Sequence, residues 1–322
     1  MKAAIMNPKD GILKYAEWPD PVVAGDDEIL MTVKAAAIKN VDRSIASGNH
    51  YSSASAGQPR VIGSDGVGIL PDGTRIYAIG MSGMVAEQAV VSRNRMVILP
   101  DNLDFATAAA LPNAVIGAAM GLRFKANIQP GDTVLINGAT GVTGRIAVQI
   151  AKYYGAKKAI ATGRNQESLQ VLLDLGADEI VSVQQTDADF VTQIQTIHNE
   201  TPIDVIIDYL WGHSAELLLT ALKGKGSFTH RTRFVSVGSI SGEVIQLSAS
   251  TLRSVDLQLS GSGLGSLSRQ DIGKLFTEIL PEMFQLAADG KLKIETVRVP
   301  LDEIESTYNS AITDGKRLVI EM

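Results

Sequence analysis

The amino-acid sequence predicts an α/β protein: a doubly wound parallel sheet accompanied by a separate β-rich unit. Three observations carry that prediction. From about residue 130 onward, short apolar runs alternate with amphipathic stretches of helical period. A glycine-rich turn joins the first of those runs to the first helix. The first 110 or so residues instead hold short β-like runs broken by Gly and Pro. Composition permits this architecture, because 322 residues with 45% apolar side chains can build the cores of two domains.

Taken in order, the β-rich unit begins with candidate strands at Ile29–Ala36, Gly66–Leu70, Arg75–Ile79 and Ala89–Val91, with turn signals at Pro71-Asp72-Gly73 and around Gly80–Gly83. Phe105–Leu122 carries no charge and approaches membrane-spanning length. Its Ala and Gly content, with Pro112 and Asn113 mid-way, reads as a pair of buried helices around a bend. Thr133–Ile136 is a buried-type strand, and the helix Gly144–Tyr154 places Ile146, Ala147, Ile150, Ala151 and Tyr154 on one face. Strands at Lys158–Thr162, Glu179–Val183, Asp204–Asp208 and Arg233–Val237 then alternate with helices at Gln166–Leu175, Ala188–His198 and Ser214–Leu222. Repeating βα units with apolar strands imply a parallel sheet covered on both faces, with a ligand at the carboxyl edge of its strands. After Leu257–Leu259 and the turn SGSGLGS, a long helix covers 268–288. A helix at Leu301–Ala311 separates the final β-like segments, Thr296–Val299 and Leu318–Glu321, and this last stretch returns to the N-terminal unit. The domain reading is therefore 1–112 with 265–322, and 113–264.

Several function classes fall away at once. With 29 Lys+Arg against 35 Asp+Glu, the net charge of −6 offers no footprint for nucleic acid or an anionic membrane. The absence of cysteine excludes disulfides, thiolate–zinc sites, iron–sulfur clusters and thiol nucleophiles. The start, MKAAIMNPKDG, has too short an apolar run for a signal peptide. These features read as a soluble, cytoplasmic protein whose partner is a small molecule.

The strongest local signal is VLINGATGVTGRIAVQIAK, residues 134–152. Gly138, Gly141 and Gly144 stand three apart between a strand and a helix, so Gly138, Ala139, Thr140, Gly141, Val142, Thr143 and Gly144 form the candidate pyrophosphate turn of a dinucleotide. The helix N-terminus adds free N–H groups and a positive dipole end. A cofactor with a free ribose 2′-hydroxyl meets an acid about 20 residues on. Here that place reads Gly163-Arg164-Asn165, without an acid, and an arginine suits a 2′-phosphate. NADP(H) is the expected cofactor. Tyr154 and Lys158 match the Y-x-x-x-K spacing of short-chain dehydrogenases, but that tyrosine lies far downstream of the glycine turn, and here it sits on the first helix after it. Tyr154 is read as a packing residue.

Together these segments resemble the medium-chain dehydrogenase/reductase superfamily, specifically its zinc-free quinone oxidoreductase-like branch. VKAAAIKNVDRSIASGNHY (33–51), PRVIGSDGVGIL (59–70), AEQAVVSRNRMVILPDNLDFATAAALPNA (86–114), the glycine turn, LGAD (175–178), VSVGSISG (235–242) and DGK (314–316) follow in family order along nearly the whole chain. The resemblance implies a GroES-like β-rich domain formed from both termini, a Rossmann domain between, and an active site in the cleft. It implies hydride transfer between a nicotinamide and a quinone, enone or small carbonyl. Zinc-dependent relatives carry a Cys where Lys39 stands and a His-Glu pair where Ser64-Asp65 stands, so no metal is expected; zinc-free members often carry an Asn at the Lys39 position, so this sequence differs from them too.

Without zinc, the developing oxyanion needs an organic donor. By resemblance, Lys39, Asn40, Asp42, Arg43, His50 and Tyr51 lie near the cleft. Tyr51 is the expected donor, with Lys39 as an electrophile beside the nicotinamide and Asn40 as a further catalytic candidate; Asp42 orients its neighbours or caps the following helix. Further cofactor contacts are expected from Val237, Gly238 and Ser239 at the end of a late strand, from Gly261 and Gly263 after the next, from Asn113 at the hinge, and from Lys316. His198, His213 and His230 lack ligand spacing. The strand Leu257–Leu259 is expected to pair across a homodimer, as in relatives. Rival readings are an alcohol dehydrogenase or enoyl-thioester reductase on the same scaffold, or a non-catalytic NADPH-binding protein.

Overall fold

The computed structural model describes residues 1–8, 11–46, 58–224, 229–310 and 315–322. The chain divides into two compact units, Met1–Asn113 with Lys274–Met322, and Ala114–Gly273.

The first unit is built mainly of β-structure. Its strands are β1 (Lys2–Asn7), β2 (Ile12–Glu17), β3 (Glu28–Ile38), β4 (Arg60–Val61), β5 (Asp65–Ile69), β6 (Arg75–Gly80), β7 (Gln88–Ile98), and, from the C-terminal part of the chain, β14 (Thr296–Pro300) and β15 (Arg317–Glu321). One sheet runs β2–β1–β4 and the other β14–β15–β3–β5–β6–β7. β3 pairs with β5 over Thr32–Ala35 and with β7 over Glu28–Thr32, so β3, β5, β6 and β7 close into a ring that leaves few open edges. Residues of these strands fill one core: Met31, Val33, Ile76, Ala78 and Val91, with Met84 from the β6–β7 connection, join Leu318 and Ile320 of β15. That shared core is why the last residues of the chain belong to the N-terminal unit: β15 lies antiparallel on β3, Leu318 opposite Ile38. The sequence reading missed β1 and β2, whose burial does not alternate regularly, and β4, which has two residues; it expected a helix only after Asp42, whereas α1 (Asn40–Ala46) begins before it.

The second unit is a six-stranded parallel sheet. Its strands, β8 (Thr133–Asn137), β9 (Lys158–Gly163), β10 (Glu179–Ser182), β11 (Val205–Asp208), β12 (Thr232–Ser236) and β13 (Leu257–Gly261), lie in the order β10–β9–β8–β11–β12–β13. This is the doubly wound order of a Rossmann fold, with the winding reversed between β8 and β11. β8 and β11 are buried along their whole length, as two-face coverage by helices requires. The covering helices include α3 (Val142–Tyr153), α4 (Gln166–Asp174), α5 (Asp187–Glu200), α6 (Gly212–Ala221) and α7 (Ala249–Ser254), the last of which the sequence pattern did not signal. Leu135, Ile160, Ile206 and Phe234 of the sheet pack with Phe190, Ile194, Leu218 and Leu219 of α5 and α6, each side chain contributing about 1.5–3 kcal/mol by its burial.

One expectation is overturned. Phe105–Lys125 is a single helix: α2 (Phe105–Val115) continues directly into a π-helical stretch, Ile116–Lys125. Pro112 removes only one backbone donor, and the downstream hydrogen bonds widen, as in Ala126 N to Gly121 O at 2.8 Å, so no second helix starts. The helix is long and apolar enough to cross a membrane by composition, and it is mostly buried within the protein. The closing long helix begins at Arg269 as α8 (Arg269–Lys274), widens into a π-turn at Leu275–Ile279 and ends as α9 (Leu280–Ala288). The expected helix from Leu301 is shorter than predicted, a 3-10 turn followed by α10 (Ile304–Thr307).

Candidate active site

The turn after β8 is shaped by its glycines. Gly138 has φ of +82°, in the region other residues avoid. At Gly144 a Cβ would lie 2.5 Å from Ala139 Cα and 2.6 Å from the Gly138 carbonyl, so the helix can approach the strand this closely only without a side chain. Gly141 forms the N-cap of α3, and no side chain caps it among the described residues. The N-termini of α4, α5 and α7 are capped by Asn165, Thr186 and Ser248. The first turn of α3 therefore lacks a capping side chain and carries the positive end of the helix dipole, which suits an anion such as a pyrophosphate. Gly163, at the end of β9, packs beneath this turn: a Cβ there would meet Thr140 Cγ2 at 2.4 Å. Arg164 follows, exposed, and no acid stands beside it. The Asn165 carboxamide accepts the Ser168 N–H at 2.7 Å and so serves α4.

A second concavity, of ≈ 340 Å³, lies at the carboxyl ends of β12 and β13 and is lined by the expected Val237, Gly238, Ser239, Gly261 and Gly263. Residues outside the predicted set share its wall, among them Trp211 and Glu243; the Glu243 carboxylate accepts the Ser239 hydroxyl at 2.5 Å. Ser266 pins the loop by accepting the Gly263 N–H at 3.0 Å.

In the first unit, β3, α1 and β5 bring Lys39, Asp42, Ser64 and Asp65 together. The Lys39 ammonium contacts Asp65 Oδ1 and lies 3.1 Å from Asp42 Oδ2, with both lysine and Asp42 side chains almost wholly buried. Tyr77 donates its hydroxyl to Asp65 Oδ2 at 2.8 Å. Asp42 also accepts Ser64 Oγ–H at 2.7 Å, Ser64 N–H at 3.1 Å and Lys39 N–H at 3.1 Å. It sits inside α1 and reaches back to the residue before the helix, so it orients its neighbours and caps α1 from within. Burial draws the Lys39 ammonium below its usual pKa, with Asp42 opposing. Burial likewise raises the Tyr77 phenol. A zinc ion does not fit these residues. The place between the two carboxylates is filled by the lysine, and no group of three His, Cys, Asp or Glu side chains among the described residues could hold a metal.

Asn40 is exposed at the first position of α1. Tyr51 and His50 lie outside the described residues. Asn113 Oδ1 faces the Arg317 guanidinium at 3.4 Å. Lys316 is exposed, 4.0 Å from Glu295. The next residue, Arg317, opens β15, whose first four residues are all buried: it is 8% exposed, its Nε lacks a partner among the described residues, and burial lowers its pKa to about 10. Tyr154 lies against Tyr153 with ring centroids 5.7 Å apart, and Lys158 pairs with Glu179 at 2.7 Å, so the Y-x-x-x-K spacing brings no pair together. His213 and His230 pair with Asp187 and Asp204 at the surface, while His198 accepts the Ile203 N–H.

The sheet order and glycine turn define a dinucleotide-binding α/β class, and comparison with known proteins agrees. Residues 142–281 match the family described as zinc-binding dehydrogenase. A probable NADPH-dependent quinone reductase, tdiC, of Emericella nidulans is 27% identical across 95% of each chain. The quinone oxidoreductase of Sus scrofa is 30% identical over 66% of this chain and 65% of its own. The quinone oxidoreductase of Thermus thermophilus, solved alone and with NADPH, shares the fold over 100% of both chains with a TM-score of 0.81 at 24% identity. By these likenesses the chain resembles the medium-chain dehydrogenase/reductase superfamily. Within that superfamily the relatives it matches are the quinone oxidoreductases.

Proposed function

We propose that this protein is a zinc-independent, NADPH-dependent oxidoreductase that transfers hydride to a quinone, an enone or a related small carbonyl compound. The observation that carries the reading is the uncapped, glycine-shaped start of α3, with Arg164 and no acid at the end of the neighbouring strand. The relatives named NADPH-dependent quinone reductase and quinone oxidoreductase support it. When bound, the nicotinamide supplies the hydride.

The protein's own part is to bind, orient and donate. The α3 amides hold the pyrophosphate, and Arg164 takes the 2′-phosphate. Val237–Ser239 and Gly261–Gly263 border the nicotinamide half. Arg317, which is buried and incompletely paired, is a better anchor for an anionic group than Lys316. Lys39 acts through its charge, as the resident cation holding Asp42 and Asp65. We assign the hydrogen-bond donor to Tyr51 on its place in the sequence, with Asn40 beside Lys39 as a second polar group. Tyr51→Phe is expected to lower kcat by tenfold or more, about the value of one transition-state hydrogen bond, with the NADPH KM unchanged; steady-state kinetics checks this.

The test of the function is NADPH and NADH oxidation against a panel of quinones, enones and aldehydes, using chelator-dialysed protein of measured metal content. Activity with NADPH at background zinc supports the reading; tight NADPH binding without turnover would favour a non-catalytic binder. Arg164→Gln is expected to raise the NADPH KM about 10–100-fold while leaving the NADH KM within a few-fold, because only the 2′-phosphate loses a charged, bidentate partner. Equal effects on both cofactors would refute that role. We place the protein in the cytoplasm as a homodimer joined through the edge strand β13, where Leu259 is exposed.

A further inference from the structure

Asp208 ends β11, is fully buried, and has no part in the roles assigned so far. Its carboxylate accepts N–H from Leu210 at 3.0 Å and from Trp211 at 3.1 and 3.2 Å, and the Asn137 carboxamide donates to it at 2.8 Å. Its backbone carbonyl accepts the N–H of Val237 at 2.7 Å and of Gly238 at 3.2 Å. Trp211 has φ of +55°, a conformation an aromatic residue keeps only when its surroundings impose it. The carboxylate grip on the Trp211 N–H is that imposition. It sets the indole edge-on to Phe234, with centroids 6.3 Å apart, on the wall of the cavity that Val237 and Gly238 also line.

On the other side, Asn137 Oδ1 accepts the Thr162 hydroxyl at 2.7 Å, and Thr162 Oγ1 accepts the Gly138 N–H at 3.1 Å. A directed chain of hydrogen bonds thus runs from Gly138 through Thr162 and Asn137 to Asp208, crossing the point where the sheet reverses its winding. The three side chains that form it are fully buried, so each bond polarises the next and none is exchanged for water. Leu210 closes the link from above: a Cβ on Gly138 would touch it at 2.8 Å.

We propose that Asp208, acting through Asn137 and Thr162 on one side and Trp211, Val237 and Gly238 on the other, is a positioning residue that fixes the phosphate-side turn and the nicotinamide-side cavity in one geometry. The proposal rests on the dinucleotide reading above. A two-ended ligand binds well only if both ends are held at the correct spacing before it arrives, and this buried chain sets that spacing.

The sequence has two tryptophans, so Trp18→Phe leaves Trp211 as the sole tryptophan emitter. In that background, Asp208→Asn keeps the shape but sets an amide donor among the donors that the carboxylate accepts. Three results are expected with the protein still folded by circular dichroism. Trp211 emission shifts to the red without nucleotide, Kd for NADPH rises about tenfold, and Kd for 2′-phospho-ADP-ribose, which lacks nicotinamide, rises as well. Unchanged emission with a Kd within about twofold of the parent would overturn the proposal. Should Asp208→Asn not fold, Thr162→Val and Thr162→Ser decide: Val is expected to weaken NADPH binding about tenfold and Ser to restore it, and a Val variant that binds like the parent would overturn the proposal. Failure of the Trp18→Phe parent to bind NADPH would instead sink the dinucleotide reading, while the nucleotide-free emission shift still decides the positioning role.

Discussion

Lys39→Met is expected to cost about 3–5 kcal/mol of stability and to lower the melting temperature by roughly 10 °C. The Lys39 ammonium contacts both Asp42 and Asp65, and all three side chains are at least nine-tenths buried. Methionine fills much the same volume, so the loss is electrostatic rather than a cavity: two carboxylates remain in a low-dielectric interior with no cation between them. The sign of the pH dependence follows. Uncompensated buried carboxylates have raised folded-state pKa values, the folded state then binds more protons than the unfolded one, and the variant gains stability as pH falls from 7 toward 5. Adding Asp65→Asn should recover more than half of the loss. The remaining Asp42 keeps its donors from Ser64 and the Lys39 backbone, and an asparagine can still accept from Tyr77. Thermal unfolding of the single and double variants at two pH values checks the argument; a single variant as stable as the parent would show that the ion pair contributes nothing net.

The second large effect concerns the phosphate turn. Gly144→Ala is expected to weaken NADPH binding by 100-fold or more and to destabilise the protein by about 1–3 kcal/mol, because the new methyl would collide with backbone at Ala139 and Gly138, which cannot swing aside as a side chain would. The first turn of α3 must then back away from β8, carrying its amides out of position. Gly141→Ala is the control. Its φ of −76° is ordinary and nothing lies within 4 Å of a Cβ there, so its melting temperature should match the parent. Any affinity lost in Gly141→Ala therefore reports the approach of the ligand itself. Nucleotide titration by fluorescence, alongside thermal unfolding, separates the two variants; equal affinities for both would refute a phosphate seat at this turn.

Much of the second unit was legible from local pattern. The strands there are buried on both faces and read as apolar runs, the helices between them have one apolar side, and the predicted bounds from Thr133 to Leu222 differ from the observed ones by a few residues. The glycine spacing marked the turn because backbone geometry demands glycine at Gly138 and Gly144 whatever surrounds them. The first unit was harder. β4 has only two residues, and its pairing with β1, Ile5 opposite Val61, joins segments far apart in sequence. Pro112 and Asn113 suggested a break, yet the helix continues, because tertiary burial of an Ala-rich surface outweighs one missing hydrogen bond.

Site residues divided along the same line. Glycines and Arg164 announce themselves through backbone and charge requirements that are local. Asn137 and Asp208 each close an otherwise apolar strand, which was a signal, but a polar strand end alone does not say which other strand end it meets. Lys39 was singled out for its place in the family pattern, whereas its partners, Asp42 within α1 and Asp65 at the start of β5, follow only from the folding of β3, α1 and β5 onto one another.

By itself, then, the sequence determined the fold class, the strand–turn–helix at Gly138–Gly144, the absence of thiol chemistry and the Arg164 position at an acid-free strand end, because each depends on neighbours in the chain. Tertiary structure alone decided that Lys39 lies buried as the cation of two carboxylates, that Arg317 rather than Lys316 faces inward, and that Asp208 joins the glycine turn to the cavity beyond β12. Apart from the Lys39–Asp42 pair, those arrangements join residues tens to hundreds of positions apart, and the energy of a buried charge or hydrogen bond depends on what surrounds it in space rather than on what precedes it in sequence.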